Sequence, residues 1–247
     1  MKKFWRDWGR WKLKPKNINW IEDAKRRAAL EAVKHVKNGS VIGLGSGSTA
    51  AYVVQELGRR IREEGFHVLG VPTSYQAYLL ALECGVPTTT LDMHPQLDLT
   101  IDGADQVDLE LNIIKGAGGA LTREKVVASA SKQFIIVVDE TKKVSKLGAN
   151  HPVPLEVLPF ATSFLIAKLR EMGGKPVLRM GKNKVGPVVT DNGNFLVDVD
   201  FGIIKNPKEL NANLKSIPGV IETGLFLNMA NIVYVGKRKK VEKLERK

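Results

Sequence analysis

The sequence predicts an α/β fold: a mainly parallel sheet covered on both faces, with a smaller α+β unit set late in the chain. Three observations predict it. Short apolar runs alternate with amphipathic helical stretches between residues 20 and 139, the pattern of strands joined by helical crossovers. Near Gly148 the pattern changes to the order β-α-β-β-α-β, that of a small antiparallel unit. A last apolar run, Ile232 to Val235, is placed to return to the first sheet. The expected division is therefore residues 1–148 plus 227–247 as one domain and residues 149–226 as the other.

In chain order, apolar residues from Trp20 to Val36 recur at helical spacing, with Asn19 as a start signal and Asn38-Gly39 as a stop. Val41 to Leu44 reads as a strand, followed by the turn Gly43–Thr49 and a helix from Thr49 to Glu64 that closes at Gly65. His67 to Val71 is a strand and Ser74 to Cys84 a helix capped by Ser74. Thr88 to Leu91 reads as a short strand, and Leu97 to Ile101 as one that delivers Asp102 at its end. Thr122 to Lys132 is helical, and Phe134 to Val138 is a strand running into Asp139.

In the second unit, Pro152, Pro154 and Pro159 bracket a strand over Val153 to Leu158. A helix over Phe160 to Met172 stops at Gly173-Gly174, and Pro176 to Met180 is a strand. Val188 to Val197 carries a hairpin signal with Asn192-Gly193 at the turn. A helix opens at Asn206 or Pro207 and runs to Ser216, and Val220 to Phe226 is a strand.

Composition narrows the function classes. The chain has 247 residues and 43 % apolar content, enough for a substantial core. No run of eighteen apolar residues exists to span a membrane, and the start, MKKFWRDWGRWK, lacks the apolar stretch of a signal peptide. Cys84 is the only cysteine, so no intrachain disulfide forms. These features together point to the cytoplasm. The net charge of +12 resembles a nucleic-acid signal until it is located. Residues 1–20 carry +6 and residues 237–247 carry +5, so the body between them is close to neutral. Charge on the ends reads as solvated tails rather than a binding face, and no nucleic-acid or membrane partner is expected. Trp5, Trp8 and Trp11, interleaved with Arg6, Arg10 and Lys12, form a basic aromatic segment. Packing on the protein's own body or a second subunit accounts for it better than a membrane surface, because Lys14-Pro15-Lys16 ends the segment early.

Candidate site residues gather in two turns. Gly43–Thr49 follows a strand and opens a helix, so backbone N–H groups and the positive end of the helix dipole meet at the turn. Ser48 stands where a dinucleotide fingerprint needs its third glycine, the next strand ends Val71-Pro-Thr with no acid, and no Gly-Lys-Ser/Thr occurs. The hydroxyls of Ser46, Ser48 and Thr49 around Gly47 suit a phosphate monoester; a tight packing turn without ligand is the alternative.

The second stretch, DGADQVDLELNIIKGAGGALTREK, runs from Asp102 to Lys125. Asp102 and Asp105 flank Gly103 and Ala104 at a strand's C-terminal end, where open α/β sheets place ligands. No histidine is near and the spacing is not that of a calcium loop, so the aspartates suit sugar hydroxyls; simple turn-formers are the alternative. Lys115 opens the glycine turn Gly116-Ala117-Gly118-Gly119, whose backbone another molecule can approach closely. Glu124 lies in the first turn of the helix directly behind it, either as a partner of the helix dipole or as a general base. Lys142, after Asp139, is a further anion ligand or an ordinary surface lysine. A phosphate anchor, hydroxyl-binding acids, a cation and a base, with no cofactor fingerprint and no metal cluster, suit proton transfer next to a carbonyl in a sugar phosphate.

These residues resemble a known family. GLGSGSTA, Thr73-Ser74, DGAD, KGAGGALTREK, VVDETK, PVPLEVLP, TDNGN and PGVIETGLF are similar, in the same order, to the motifs of type A ribose-5-phosphate isomerases, and they span most of residues 20–236. The resemblance implies interconversion of ribose 5-phosphate and ribulose 5-phosphate in the non-oxidative pentose phosphate pathway, with no metal or cofactor. It implies Glu124 as catalytic base and Asp102, Asp105 and Lys115 as its active-site partners. Ser46 to Thr49, Gly116 to Gly118, Lys142 and, on the first helix, Lys25 match substrate-binding positions. It also implies a Rossmann-like domain with a smaller ferredoxin-like domain, assembled as a homodimer or homotetramer. Ser46 stands where many members have threonine and Ala117 where glycine is common. The tryptophan-rich start and the basic end lie outside the family core. Two rivals are a sugar-phosphate-sensing regulator, which lacks room for a DNA-binding domain, and an amino-sugar phosphate deaminase or lactonase, against which Glu124 and DGAD argue.

Overall fold

A computed structural model of the chain describes residues 20–246. The segment with Trp5, Trp8 and Trp11, and the expected cap at Asn19, lie outside the described residues. In chain order, the first sheet is built from β1 (Ser40–Leu44), β2 (Val68–Pro72), β3 (Leu99–Asp102), β6 (Phe134–Asp139), β12 (Ile232–Gly236) and β13 (Val241–Glu245), as labelled among all strands of the chain. Their spatial order is β13-β12-β6-β3-β1-β2, parallel throughout except at the β12–β13 edge.

Helices α1 (Trp20–Val33), α2 (Ser48–Glu64) and α3 (Tyr75–Cys84) belong to this part of the chain, and α4 (Leu121–Ser129) follows β3. Each has a readable local cause. The alanines of α1 at 24, 28, 29 and 32 form a thin buried stripe, so this helix lies close against the sheet. Gly65 closes α2 in the left-handed conformation, and the Ser74 hydroxyl accepts the Ala77 N–H to start α3. One apolar core joins α1 and α2 to the sheet through Ile42, Ile101, Ile135 and Val137. The opposite faces of the same strands, with Ile136, Val138, Val233 and Val235, pack on Leu121 and Ala128 of α4 and on Leu196 and Phe226. The sheet is thus covered on both faces.

The second sheet has the spatial order β10-β7-β9-β8, from β7 (Val153–Val157), β8 (Lys175–Leu178), β9 (Phe195–Asp200) and β10 (Val220–Thr223), all antiparallel. Helices α5 (Thr162–Glu171) and α6 (Pro207–Lys215) complete the expected β-α-β-β-α-β order. Three very short strands, β4 (Gln106–Val107), β5 (Ile113–Ile114) and β11 (Leu225–Phe226), make a third sheet where the two larger units meet. We propose that the domain boundaries fall at 148/149 and 226/227, a division that limited proteolysis within 145–150 would support and cuts only at other sites would refute.

Several expectations need correction. Thr88 to Leu91 is not a strand; Thr88 makes one isolated bridge to Gly70, because three hydroxyl-bearing residues after Pro87 run straight into a turn. The first arm of the Val188–Val197 hairpin is also not a strand. The Asn192-Gly193 turn forms, with Gly193 N donating to Thr190 O, but the arm keeps only a Val189–Phe195 bridge. The expected strand Val220–Phe226 is two strands in two sheets. They part at Gly224, where any Cβ would lie 2.3 Å from the Lys115 carbonyl oxygen, so the chain changes sheets where only glycine fits. Lastly, the basic C-terminal stretch is not simply a solvated tail. Residues 241–245 form the outer strand β13, with Val241 and Leu244 packed on opposite apolar clusters.

That placement gives a test. Ending the chain after Gly236 strips Val241 and Leu244 from the core and bares the β12 edge, a loss on the order of 2 kcal/mol or more. The melting temperature is expected to fall by about 4–8 °C, while Lys239→Ser with Lys240→Ser leaves it nearly unchanged. Equal melting of the truncated and full-length chains would refute a structural role for β13.

Candidate active site

The C-terminal ends of β1, β2, β3 and β6 share one edge of the parallel sheet. β2 lies on one side of β1 and β3 on the other, so the chain reverses its winding direction between β1 and β3. A crevice is expected at such a switch point. The loops leaving these strands carry Gly45 to Gly47, Thr73-Ser74, Gly103 to Asp105 and Glu140 to Lys142. Together with the glycine turn and α4 they surround a cleft of about 470 Å³.

Three buried charged groups lie at and just beneath its floor. Lys115 Nζ stands 3.0 Å from Asp102 Oδ2 and 3.3 Å from Glu124 Oε1, and it donates to Gly103 O at 2.6 Å. Asp102 is fully buried and Glu124 only 5 % exposed. Asp102 Oδ1 accepts the backbone N–H groups of Ser46 and Gly103 at 3.1 and 2.7 Å. This requires β1 and β3 to approach closely just past their ends. Gly45 permits it, since a Cβ there would sit 2.3 Å from Asp102 Oδ1.

The electrostatics follow from burial. Loss of water, then the nearby Asp102 charge, push Glu124 up to about 8, although Lys115 opposes the shift. Asp102 is raised as well, again mainly by burial. Burial pulls Lys115 down, but Asp102, Glu124 and Asp105 together outweigh it and hold the ammonium above its ordinary value. The two buried carboxylates and one ammonium hold a proton more readily than isolated groups would. Glu124 Oε2 is buried and has no hydrogen-bond partner among the described residues.

The glycine turn is shaped from two sides. Ala117 N donates to Asp105 Oδ2 at 2.9 Å, and Arg179 Nη1 donates to the carbonyls of Gly116 and Ala117 at 3.0 Å each. The other wall is the turn at the start of α2. Lys25 Nζ reaches across from α1 to Ser48 Oγ at 3.1 Å and to Glu22 at 2.8 Å. The Ser46 hydroxyl is bonded to Thr73 and Ser74, and Gly47 N donates to Gln76 Oε1 at 2.9 Å.

Of the residues singled out in the sequence, Lys25, Ser46, Gly47, Ser48, Thr49, Gly103, Ala104, Asp105, Lys115, Gly116, Gly118, Glu124 and Lys142 line the cleft. Asp102 lies beneath the floor and Ala117 contributes through its backbone. Sequence reasoning placed Gly119 in the glycine turn but missed Ser74, Gln76, Ala120 and the stretch Val188 to Asp191. Thr73-Ser74 and TDNGN stood among the motifs but carried no chemistry of their own. The turn 190–194 reaches the cleft because buried Glu156 Oε1 accepts from Thr190, Asn192 and Asn194. From above, Arg123 and the Tyr75 N–H bind Asp191 and Asn192. Next to Glu124, Lys125 turns the other way, to Glu222 at 2.9 Å and to the carbonyls of Thr223 and Leu225.

A family model described as ribose 5-phosphate isomerase A (phosphoriboisomerase A) matches residues 69–240. The chain belongs to the ribose 5-phosphate isomerase A family. Ribose-5-phosphate isomerase A of Methanosarcina acetivorans is 52 % identical over 223 residues, covering 90 % of this chain and 94 % of the relative. Among solved structures, a D-ribose-5-phosphate isomerase in complex with phospho-erythronic acid superposes with a TM-score of 0.90 at 48 % identity, covering 92 % of this chain and 99 % of that one. Ribose 5-phosphate isomerase A from Methanocaldococcus jannaschii gives 0.87 at 48 % identity, over 91 % and 99 %. Family members thus share both the parallel sheet and the smaller antiparallel one.

The raised Glu124 value has a stability consequence whose sign is fixed. A carboxyl that holds its proton up to about 8 when folded, against 4.5 for an unperturbed glutamate, favours the folded state below 4.5. That contribution disappears as pH rises through about 8. Glu124→Gln, which cannot ionise, is therefore expected to melt higher than the native chain at pH 9, with the gap narrowing toward pH 5. A gap that is constant with pH, or reversed, would show that burial does not raise this carboxyl.

Proposed function

We propose that Glu124 is the base of the family's reaction, the interconversion of D-ribose 5-phosphate and D-ribulose 5-phosphate, in this cleft. The observation that carries the assignment is a buried carboxylate with one unpartnered oxygen, held by Lys115 between a phosphate-type turn and a glycine turn. After ring opening, Glu124 takes the proton from C2 of the aldose and returns it to C1 through an enediolate. The base needs its ionised form, so the free enzyme's kcat/KM should rise with pH through the region near 8.

Lys115 is surrounded by Gly103 O, Asp102 and Glu124. We assign it the task of fixing the base and supplying positive field beside the developing oxyanion. Asp102 fixes the lysine in turn, and Asp105, at the cleft wall, is placed for a sugar hydroxyl. The phosphate is assigned to the turn Ser46–Thr49 with Lys25 and Lys142, where the N-terminus of α2 supplies N–H groups. Anchoring that end decides which carbon faces the base. No step in this scheme calls for a metal or cofactor.

The assembly is proposed to be a homodimer or homotetramer, supported by exposed apolar side chains such as Tyr75, Leu79, Met93 and Phe160. A solution mass of one chain would refute it. Cytoplasmic residence is also proposed, with the lone thiol Cys84 as support; recovery of the protein in a membrane or secreted fraction would refute it. No helix among the described residues is long and apolar enough to cross a membrane.

The test of the base is turnover of ribose 5-phosphate by purified protein in chelator, beside Glu124→Gln. The variant is expected to lose about a hundredfold or more in kcat while remaining folded. Near-full activity in the variant would move the base elsewhere, and activity only on adding metal would recast Asp102 and Asp105 as ligands.

A further inference from the structure

We propose that Arg179, held by Asp198, is a positioning residue that aims the Gly118 amide at the oxyanion formed during isomerisation. The inference rests on the isomerase reading of the site. Arg179 lies just beyond β8, and its Nε donates to Asp198 Oδ2 of the neighbouring strand β9 at 2.7 Å. A second guanidinium nitrogen binds Asp198 Oδ1, so the fork is held in a fixed orientation. The remaining nitrogen, Nη1, meets two successive carbonyls of the glycine turn, Gly116 O and Ala117 O, each at 3.0 Å.

A trans peptide points its N–H opposite its C=O. Turning the Gly116 and Ala117 carbonyls toward Arg179 therefore turns the Ala117 and Gly118 N–H groups away from it. The first of these shows which way that is. Ala117 N donates to Asp105 Oδ2, and Asp105 lines the cleft. The second, Gly118 N, has no partner among the described residues, although Gly118 itself lines the cleft. An N–H fixed in place and left unbonded at the cleft wall is what stabilises charge appearing in a transition state. The guanidinium behind the turn polarises both peptides in the helpful sense, with positive charge on the carbonyl side.

A mere strut and an aiming device differ in what they change. A strut, once lost, would loosen the cleft and weaken every ligand alike. An aimed amide acts on the oxyanion and spares the phosphate end, which is held by the separate turn at α2. Arg179→Gln is expected to lower kcat about 10- to 100-fold with KM and competitive inhibition by inorganic phosphate changed less than about twofold. Binding of a phosphorylated four-carbon hydroxamate, a planar mimic of the enediolate, should weaken in step with kcat. Arg179→Lys keeps the charge but reaches one carbonyl rather than two, so its kcat should fall between the two.

Should the glutamine variant fail to fold, the lysine variant and Asp198→Asn carry the same split at smaller size. A kcat within about twofold of wild type, or phosphate and hydroxamate binding lost equally in a folded variant, would overturn the proposal. Wild-type turnover that collapses in Glu124→Gln stands or falls independently, so failure of the base assignment and failure of the Arg179 assignment are separately visible.

Discussion

Two carboxylates and one ammonium cannot leave water together unless each finds a partner at once. Asp102, Lys115 and Glu124 meet that condition with four elements: the end of β3, the strand β5 that precedes Lys115, the first turn of α4, and the β1 turn whose Ser46 N–H reaches Asp102. Remove the ammonium and two carboxylates are left buried side by side; remove Asp102 and Lys115 loses its nearer partner. The cluster therefore sets how closely those elements approach, and the glycine at 45 is the concession the backbone makes to it. The cost is visible in the raised carboxyl of Glu124, pushed up mainly by its own burial.

The rest of the architecture serves to keep that cluster between the turn that opens α2 and the glycine turn. The parallel sheet brings the ends of β1, β2, β3 and β6 to one edge, and the switch between β1 and β3 opens the crevice there. The antiparallel sheet adds no charge to the floor. It contributes Arg179 behind the glycine turn and the buried Glu156 beneath the turn at 190–194, and both shape the backbone that lines the cleft. The division of labour matches the sequence, in which charged chemistry clusters in the first unit and turn-forming residues in the second.

What was legible in the sequence was what local physics decides. Alternating strands and helices, the caps at Ser74 and Asn206, and the two glycine turns depend on neighbours a few residues away, and they appear where the sequence places them. What was not legible depends on distant partners. The outer strand β13 reads as a charged tail because edge strands are protected by charge, and only its pairing with β12 distinguishes the two. The break at Gly224 follows from the Lys115 carbonyl more than a hundred residues earlier. Val188 to Asp191 reach the cleft through hydrogen bonds to Glu156, Arg123 and Tyr75, none of which a reading along the chain could connect. Asp102, Glu124 and Lys115 were legible as a set, but the burial that shifts them was not.

Glu124 and Lys125 are adjacent on α4 yet face different sheets. Glu124 reaches the cleft, and Lys125 is bonded to Glu222 and to the carbonyls of Thr223 and Leu225 at the seam where β10 gives way to β11. The helical turn that carries Glu124 is thus moored to the smaller sheet one residue along. Local opening of that sheet would let Glu124 drift while the parallel sheet stayed intact. Heat would then silence the enzyme before it unravelled the fold, and durability of function would be governed by the weaker of the two units rather than by the larger core.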